Sequence, residues 1–214
     1  MNVELIGRTP KAEEQIVYVA RVSSSRKDKT SKPEGLINYL IKHNHWSPFE
    51  HATMTVEINT SKAIGIQLIR HRSFTFQEFS QRYQDVNLLE DMFEDVELRK
   101  QCEDNRQSSS EVFDPNIKME SNMPASEAIA SLLGKCSSLY DKLIEAGVAR
   151  EQARMILPMC TKTKIYMTGS IRSWIHFLSI RDDGHAQKEI QQVAKEIKEI
   201  FKREFPMISS ALGY

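Results

Sequence analysis

Cysteine is scarce in this chain, and what there is does not form a pattern. Cys102, Cys136 and Cys160 are odd in number and widely spaced, which argues against a disulfide frame and for reduced thiols in a reducing compartment. No CxxC pair suggests a structural zinc. No apolar run approaches the roughly 18 residues that cross a bilayer, and the opening MNVELIGRTP carries acidic and polar residues where a secretory leader needs an apolar stretch. These absences predict a soluble, cytoplasmic protein with no membrane partner. Neither GxGxxG nor GxxxxGK[ST] occurs, so no dinucleotide is expected in a Rossmann crevice and no triphosphate on a P-loop. Net charge is missing too. Lys plus Arg and Asp plus Glu both number 29, whereas a protein that grips a nucleic-acid polymer through its phosphates usually shows a basic excess. No internal repeat is visible.

With 214 residues and 40% hydrophobic content the chain can bury a real core, and we read residues 1–214 as one domain. Residues 2–7 look like a short strand and 11–22 like a helix. A further helix starts at Pro33, a favourable first-turn residue. Met54, Val56 and Ile58 alternate with polar neighbours, which predicts a strand with one buried face. Helical spacing returns from Lys62 to about Arg72 and puts Gln67 and Arg70 on one face. Residues 91–124 read as a long polar excursion of weak structural content. Beyond it, Ile129, Leu132, Leu133, Cys136, Leu139, Tyr140, Leu143 and Ile144 form a 3.6-period stripe that Gly147 is placed to end. A short helix at 149–157 stops near Pro158, a strand follows at 162–168, and helices follow at 171–181 and 186–203. The strands do not alternate as βαβ units. The fold class is therefore α+β, helix-rich, with a small, mostly antiparallel sheet and no Rossmann core.

The most informative stretch is RHRSFTFQEFSQRYQ, beginning at Arg70. Arg70, Arg72 and Arg82 would repel one another in a folded protein unless oxyanions stood between them, because guanidinium stays charged and binds phosphate or carboxylate as a bidentate fork. Glu78 alone cannot balance them. With no net basic footprint, a small localised anion fits better than a polymer. The same periodicity reads the segment as a helix end running into a loop.

The spacing R-H-R, seven residues and then Ser80, followed by Gln81-Arg82-Tyr83, resembles the signature of the flavin-dependent thymidylate synthases. Further pieces match in order: ARVS from Ala20, KHNHWSPFEH from Lys42, QLIRHR from Gln67, EQARMILP from Glu151, and SIRSWIHFLSIRDDGHAQKEIQ from Ser170. Thr75 and Gln77 stand where that family usually has Ser and Asn, keeping a hydroxyl and an amide. The resemblance implies reductive methylation of dUMP to dTMP with bound FAD, NADPH as hydride source and methylenetetrahydrofolate as carbon donor. It also implies a homotetramer with active sites at subunit interfaces. In that frame Arg181 resembles the cation that activates the pyrimidine, and His45 a histidine near the flavin ring that affects turnover. Ser23, Ser47, Arg70, His71, Arg72, Glu78, Ser170, Arg172 and His176 fall at positions assigned to the cofactor. Gln67, Arg70, Glu78, Ser80, Gln81, Arg82, Arg154 and Arg181 fall at positions assigned to the nucleotide. The family works without a cysteine nucleophile, so Cys160 is expected to be a packing residue.

Two other classes use the same residues. His43, His45 and His51 could ligate a metal for hydrolysis if they converged with a carboxylate. Alternatively, Phe74, Phe76 and Tyr83 could stack bases beside the arginines in a nucleotide- or RNA-binding module without catalysis.

Overall fold

The alternation noted around Met54 organises the sheet. Residues Thr53–Ser61 form the nine-residue strand β2, whose Met54, Val56 and Ile58 are fully buried while Thr53 faces solvent. The computed structural model describes residues 1–23, 32–89, 91–106, 108–119 and 121–214. Around β2 stand β1 (Asn2–Arg8), β8 (Lys162–Ser170) and β3 (Phe74–Glu78), in the order β1-β2-β8-β3, every pair antiparallel. The register of β1 on β2 slips between Leu5 and Gly7, a bulge on that edge. The α+β class predicted from the sequence is the class observed.

Helices cover one face of this sheet: α1 (Ala12–Ala20), α2 (Pro33–Lys42), α3 (Lys62–Leu68), α6 (Ile171–Arg181), α7 (Lys188–Glu204) and α8 (Pro206–Leu212). The amphipathic pattern of α7 buries Ile190, Val193, Ala194, Ile197, Ile200 and Phe201, leaving Lys and Glu outside. Each of the two helices that leave a strand of this sheet directly, α3 and α6, is capped by that strand's last residue. Ser61 Oγ accepts from Ile64 N–H at 3.4 Å on α3, and Ser170 Oγ accepts from Ser173 N–H at 3.2 Å on α6. The other sheet face is polar, with Thr55, Glu57, Tyr166 and Thr168 side by side. Thr75 and Gln77, which depart from the family's signature, lie on that face as well, since they alternate with Phe74, Phe76 and Glu78.

Four expectations change. The segment after Leu68 does not continue as helix into loop: α3 stops there, and FTFQE forms β3, because its alternation of Phe with polar residues is a period of two. Residues 91–124 are not structureless. They carry two hairpins, β4 (Arg99–Gln101) with β5 (Ser109–Val112) and β6 (Asn116–Lys118) with β7 (Asn122–Pro124). The stripe on α4 (Ala125–Glu145) is only partly covered: Tyr140 is buried against Val86 and Ala153, while Leu132 and Leu139 stay 58% and 50% exposed. The helix predicted at 149–157 is α5 (Arg150–Ala153) followed by a 3₁₀ turn, Arg154–Ile156. The pattern gave no warning of α8.

Pairing of β3 with β8 places Phe74 opposite Gly169, and the ring fills the space a side chain would take. A Cβ on Gly169 would lie 2.4 Å from Phe74 Cδ1. The ring also packs edge-on against Trp174, with centroids 4.7 Å apart, and Trp174 Nε1 donates to the Met54 carbonyl at 3.0 Å. Gly169→Ala should therefore lower stability by about 1–3 kcal/mol through overpacking, visible as a lower denaturant midpoint. Adding Phe74→Leu to that variant should recover part of the loss.

Candidate active site

The sheet register sorts the predicted site residues into two groups, one at each end of β3. Phe74 pairs with Gly169 and Glu78 with Ile165, so Ser73 lies beside the first turn of α6 and His71 further along that helix, while Ser80 to Arg82 lie near the start of β8. The strand between them spans about 13 Å.

The first group runs along α6. Glu50 anchors it, its Oε1 accepting from Arg172 Nη1 at 2.9 Å and its Oε2 from Ser170 Oγ at 2.7 Å. Ser173 Oγ donates to the Ser73 carbonyl at 3.2 Å and ties α6 to the segment carrying His71 and Arg72. Arg172 and His176, one turn apart and both exposed, line one cavity of about 820 Å³ together with Trp46, Glu50 and Ser73. That volume suits a large organic ligand. Ser47 opens the 3₁₀ turn Ser47–His51 that carries Glu50. Ser23 ends a 3₁₀ turn after α1; its side chain lies outside the described residues.

At the far end of α6, Arg181 Nε donates to His71 Nε2 at 2.8 Å. An arginine can only donate, so His71 is a neutral imidazole with its proton on Nδ1. Burial, and then the Arg181 charge, pull its pKa from the ordinary 6.5 to about 4. Edge-on contact with Phe177 at 5.0 Å holds the ring. Burial likewise draws the Arg181 pKa below the usual guanidinium value, and the group stays cationic. Two acids follow it in sequence, yet neither neutralises it. Asp182 Oδ2 takes Lys198 Nζ at 2.9 Å, and Asp183 Oδ1 takes the ring and backbone N–H of His185 at 2.7 and 2.8 Å. Arg181, with no direct ion pair to either acid, lines a second cavity of about 410 Å³ together with Gln67, Gln187 and the Asp183–His185 pair. Arg70 and Arg72 are exposed and, among the described residues, have no carboxylate partner.

The second group surrounds the end of β3. Glu78 Oε1 accepts from Lys62 Nζ and Thr163 Oγ1, each at 2.8 Å, so it faces α3 and β8 and does not screen Arg70 or Arg72. Phe79 packs into the cluster of Val86, Tyr140 and Ala153, which fixes the turn carrying Ser80, Gln81 and Arg82. Gln81 Nε2 and Arg154 Nε are buried with no hydrogen-bond partner. Two orphaned donors in one group mark a place for an acceptor-rich ligand. Arg82 is held only loosely, 3.7 Å from Glu151 with both side chains about half exposed. A phosphate fits this set.

His45 stands apart from both groups, its ring 5.8 Å from Tyr39 and 6.1 Å from His43. The described residues hold no group of three or more His, Cys, Asp or Glu able to ligate a metal, so the triad of His43, His45 and His51 does not converge with a carboxylate. The base-stacking reading loses two of its three rings: Phe74 is 8% exposed within the core, Phe76 packs against that core, and only Tyr83 is open. Sequence reasoning did not single out Glu50, although KHNHWSPFEH contains it. Nor did it pair His71 with Arg181, which lie 110 positions apart.

This is a mixed α+β scaffold that sets uncompensated arginines around cavities of small-molecule size. The family described as Thymidylate synthase complementing protein matches residues 4–207. The flavin-dependent thymidylate synthase of Synechocystis sp. is 42% identical over 93% of this chain and 88% of its own length. A probable flavin-dependent thymidylate synthase from Paramecium bursaria Chlorella virus 1 is 44% identical over 95% and 91%, and the Thermosipho africanus enzyme of that name is 38% identical over 89% and 81%. The chain belongs to this family of enzymes.

Because the folded His71 resists protonation down to about pH 4 while the unfolded ring accepts a proton near 6.5, its contribution to stability is present above that value and is lost as pH falls through this window. Replacing His71 with Asn, which keeps an acceptor for Arg181, should flatten the acid limb. Denaturant midpoints at neutral and mildly acidic pH should converge in the variant relative to the wild type.

Proposed function

We propose that this chain is one catalytic domain that converts dUMP to dTMP by reductive methylation, with FAD bound, NADPH as hydride source and methylenetetrahydrofolate as carbon donor. The observation that carries the reading is Arg181: a half-buried cation, steadied by a neutral histidine, with both adjacent acids engaged elsewhere. Facing N3 and the neighbouring carbonyl of uracil, such a cation favours the electron-rich ring and makes C5 nucleophilic without covalent attack by the protein. A bound pyrimidine would displace water from this cavity and strengthen the cation's effect on the ring.

The residues present fit a flavin. Arg172 and His176 line the 820 Å³ cavity and supply hydrogen-bond donors beside an apolar floor of Ile175 and Leu178, and Ser47 and Ser170, next to the lining residues Trp46 and Glu50 in sequence or by hydrogen bond, would add further contacts. Arg70 and Arg72 offer uncompensated charge for a pyrophosphate. The chemistry a flavin supplies when bound is two-electron transfer. Ser80, Gln81, Arg82 and Arg154 would hold the nucleotide phosphate and sugar, with Gln67, Arg70 and Glu78 completing that site. His45 would serve turnover from the rim, and Ser23 would add a cofactor contact.

The two groups lie at opposite ends of β3, which supports composite sites shared between chains, and the exposed Leu132, Leu139, Tyr83 and Met155 support an assembly that covers them. A homotetramer with active sites at subunit interfaces meets both requirements.

Purified protein should be yellow, with a flavin absorption spectrum. Arg181→Ala should retain flavin-dependent NADPH oxidation and lose dTMP formation, measured separately on one preparation; near-normal methylation would sink the assignment. Arg82→Ala removes charge-assisted bonds to phosphate and should weaken dUMP binding about ten- to a hundredfold in titration.

Cys160 is no nucleophile in this reading. Burial pushes its thiol above the ordinary cysteine value, which suppresses the reactive thiolate. A chain with Cys102, Cys136 and Cys160 all replaced by Ser should keep its flavin and its activity. Loss of activity that returns on restoring Cys160 alone would overturn the cysteine-free mechanism.

A further inference from the structure

The hairpin of β4 and β5 reaches the nucleotide side of α6 through a chain of polar contacts. Arg99, on β4, keeps only 9% of its side-chain surface exposed. Its Nε donates to Ser109 Oγ at 3.1 Å and its Nη1 to Glu97 Oε1 at 2.5 Å, which holds the fork within the hairpin. Its Nη2 leaves the hairpin and donates to Glu189 Oε1 in the first turn of α7. Lys188 Nζ fastens the same turn to the Ser110 carbonyl at 3.1 Å. From Glu189 the contacts continue inward. Gln187 Nε2 donates to Glu189 Oε2 at 2.8 Å, and Gln67 Nε2 donates to Gln187 Oε1 at 2.6 Å. Gln67 and Gln187 line the 410 Å³ cavity together with Arg181.

The order of groups gives this chain a direction. A guanidinium can only donate and a carboxylate can only accept, whereas an amide can do either. With Arg99 at one end and Glu189 next to it, the Gln187 amide must turn its NH₂ to Glu189 and its oxygen to Gln67. The Gln67 amide must then turn its NH₂ to Gln187. Its carbonyl oxygen, and the second hydrogen on Nε2, are left in fixed places beside Arg181. Without the charged pair both amides could flip, and the cavity would present two patterns in place of one.

We propose that Arg99 is a positioning residue for the nucleotide site: acting through Glu189 and Gln187, it fixes which end of the Gln67 amide faces the substrate. The polar excursion thereby takes part in substrate recognition while touching no substrate itself. The proposal rests on the reading of Gln67 as a nucleotide-binding residue. A purely structural strut would also join hairpin to helix, but it would be indifferent to the polarity of its links.

The test uses the flavin-loaded enzyme and the isosteric change Glu189→Gln, which replaces the obligate acceptor with a group of either polarity. The KM for dUMP should rise about five- to tenfold, the worth of one hydrogen bond to the substrate. The thermal midpoint and the rate of flavin reduction by NADPH should stay unchanged. Gln187→Leu, at an exposed position, is the second variant should Glu189→Gln disturb the fold, and it should raise KM alike. In a Gln67→Ala background neither change should have any further effect. If Gln67→Ala raises KM while Glu189→Gln and Gln187→Leu leave it unaltered, or add their full effects to it, the relay is wrong and the nucleotide site stands. If Gln67→Ala itself leaves KM unaltered, the placement of the nucleotide at Gln67 is wrong, and the relay falls with it.

Discussion

The packing of the Phe74 ring over Gly169 is the constraint on which the rest depends. It locks the register of β3 on β8, and that register alone decides what lies at each end of the strand. One residue of slip would turn Phe74 and Phe76 to the polar face and Thr75 and Gln77 into the core. The same contact stacks Phe74, Trp174 and Phe177 beneath α6, and the His71 ring rests on that stack. Arg181 is thus steadied by an imidazole whose position was set by a strand pairing several residues away.

A chain with no net charge contains a strongly biased locality. The arginines away from the site are largely engaged: Arg8 and Arg203 meet Glu204, and Arg99 meets Glu97 and Glu189. Around the cavities Arg172 meets Glu50 and Arg82 loosely meets Glu151, but for the other arginines the pairing is withheld. Arg181 has only a neutral partner, Arg154 keeps a buried Nε without one, and the acids nearest in sequence are tied to Lys198 and His185. Composition averages these two populations to zero, so overall charge is silent where local charge is most informative. Tolerating an uncompensated cation costs stability in the empty protein, and an anionic ligand relieves that cost on binding.

Much of the architecture was legible because it repeats. The limits of α6 were read as observed, and α7 and β2 were read to within a few residues, since a stripe or an alternation persists over two turns or four residues. What escaped was short or non-local. The five residues of β3 follow helical spacing closely enough to look like its fading end. The hairpin of β4 and β5 is fastened to α7 by Arg99 and Lys188 reaching across between them, and no window of sequence contains both. Arg172 and His176 could be paired from their spacing of four. Arg181 and His71 could not, because only the fold brings them together. A stripe, moreover, reports apolarity and not what covers it, as Leu132 and Leu139 show on α4.

The bulge between Leu5 and Gly7 bears on how the molecule avoids its own kind of error. An outer strand exposes a row of unpaired amides and carbonyls, a template onto which any extended peptide can add. On β1 that row is broken by the change of register and flanked by Glu4 and Arg8, so an incoming strand meets a kink and opposed charges in place of a straight ladder. At the opposite border, β3 is only five residues long. Both margins of the sheet are thereby poor seeds for fibrils, even though Ile6 on β1 leaves an apolar side chain half exposed.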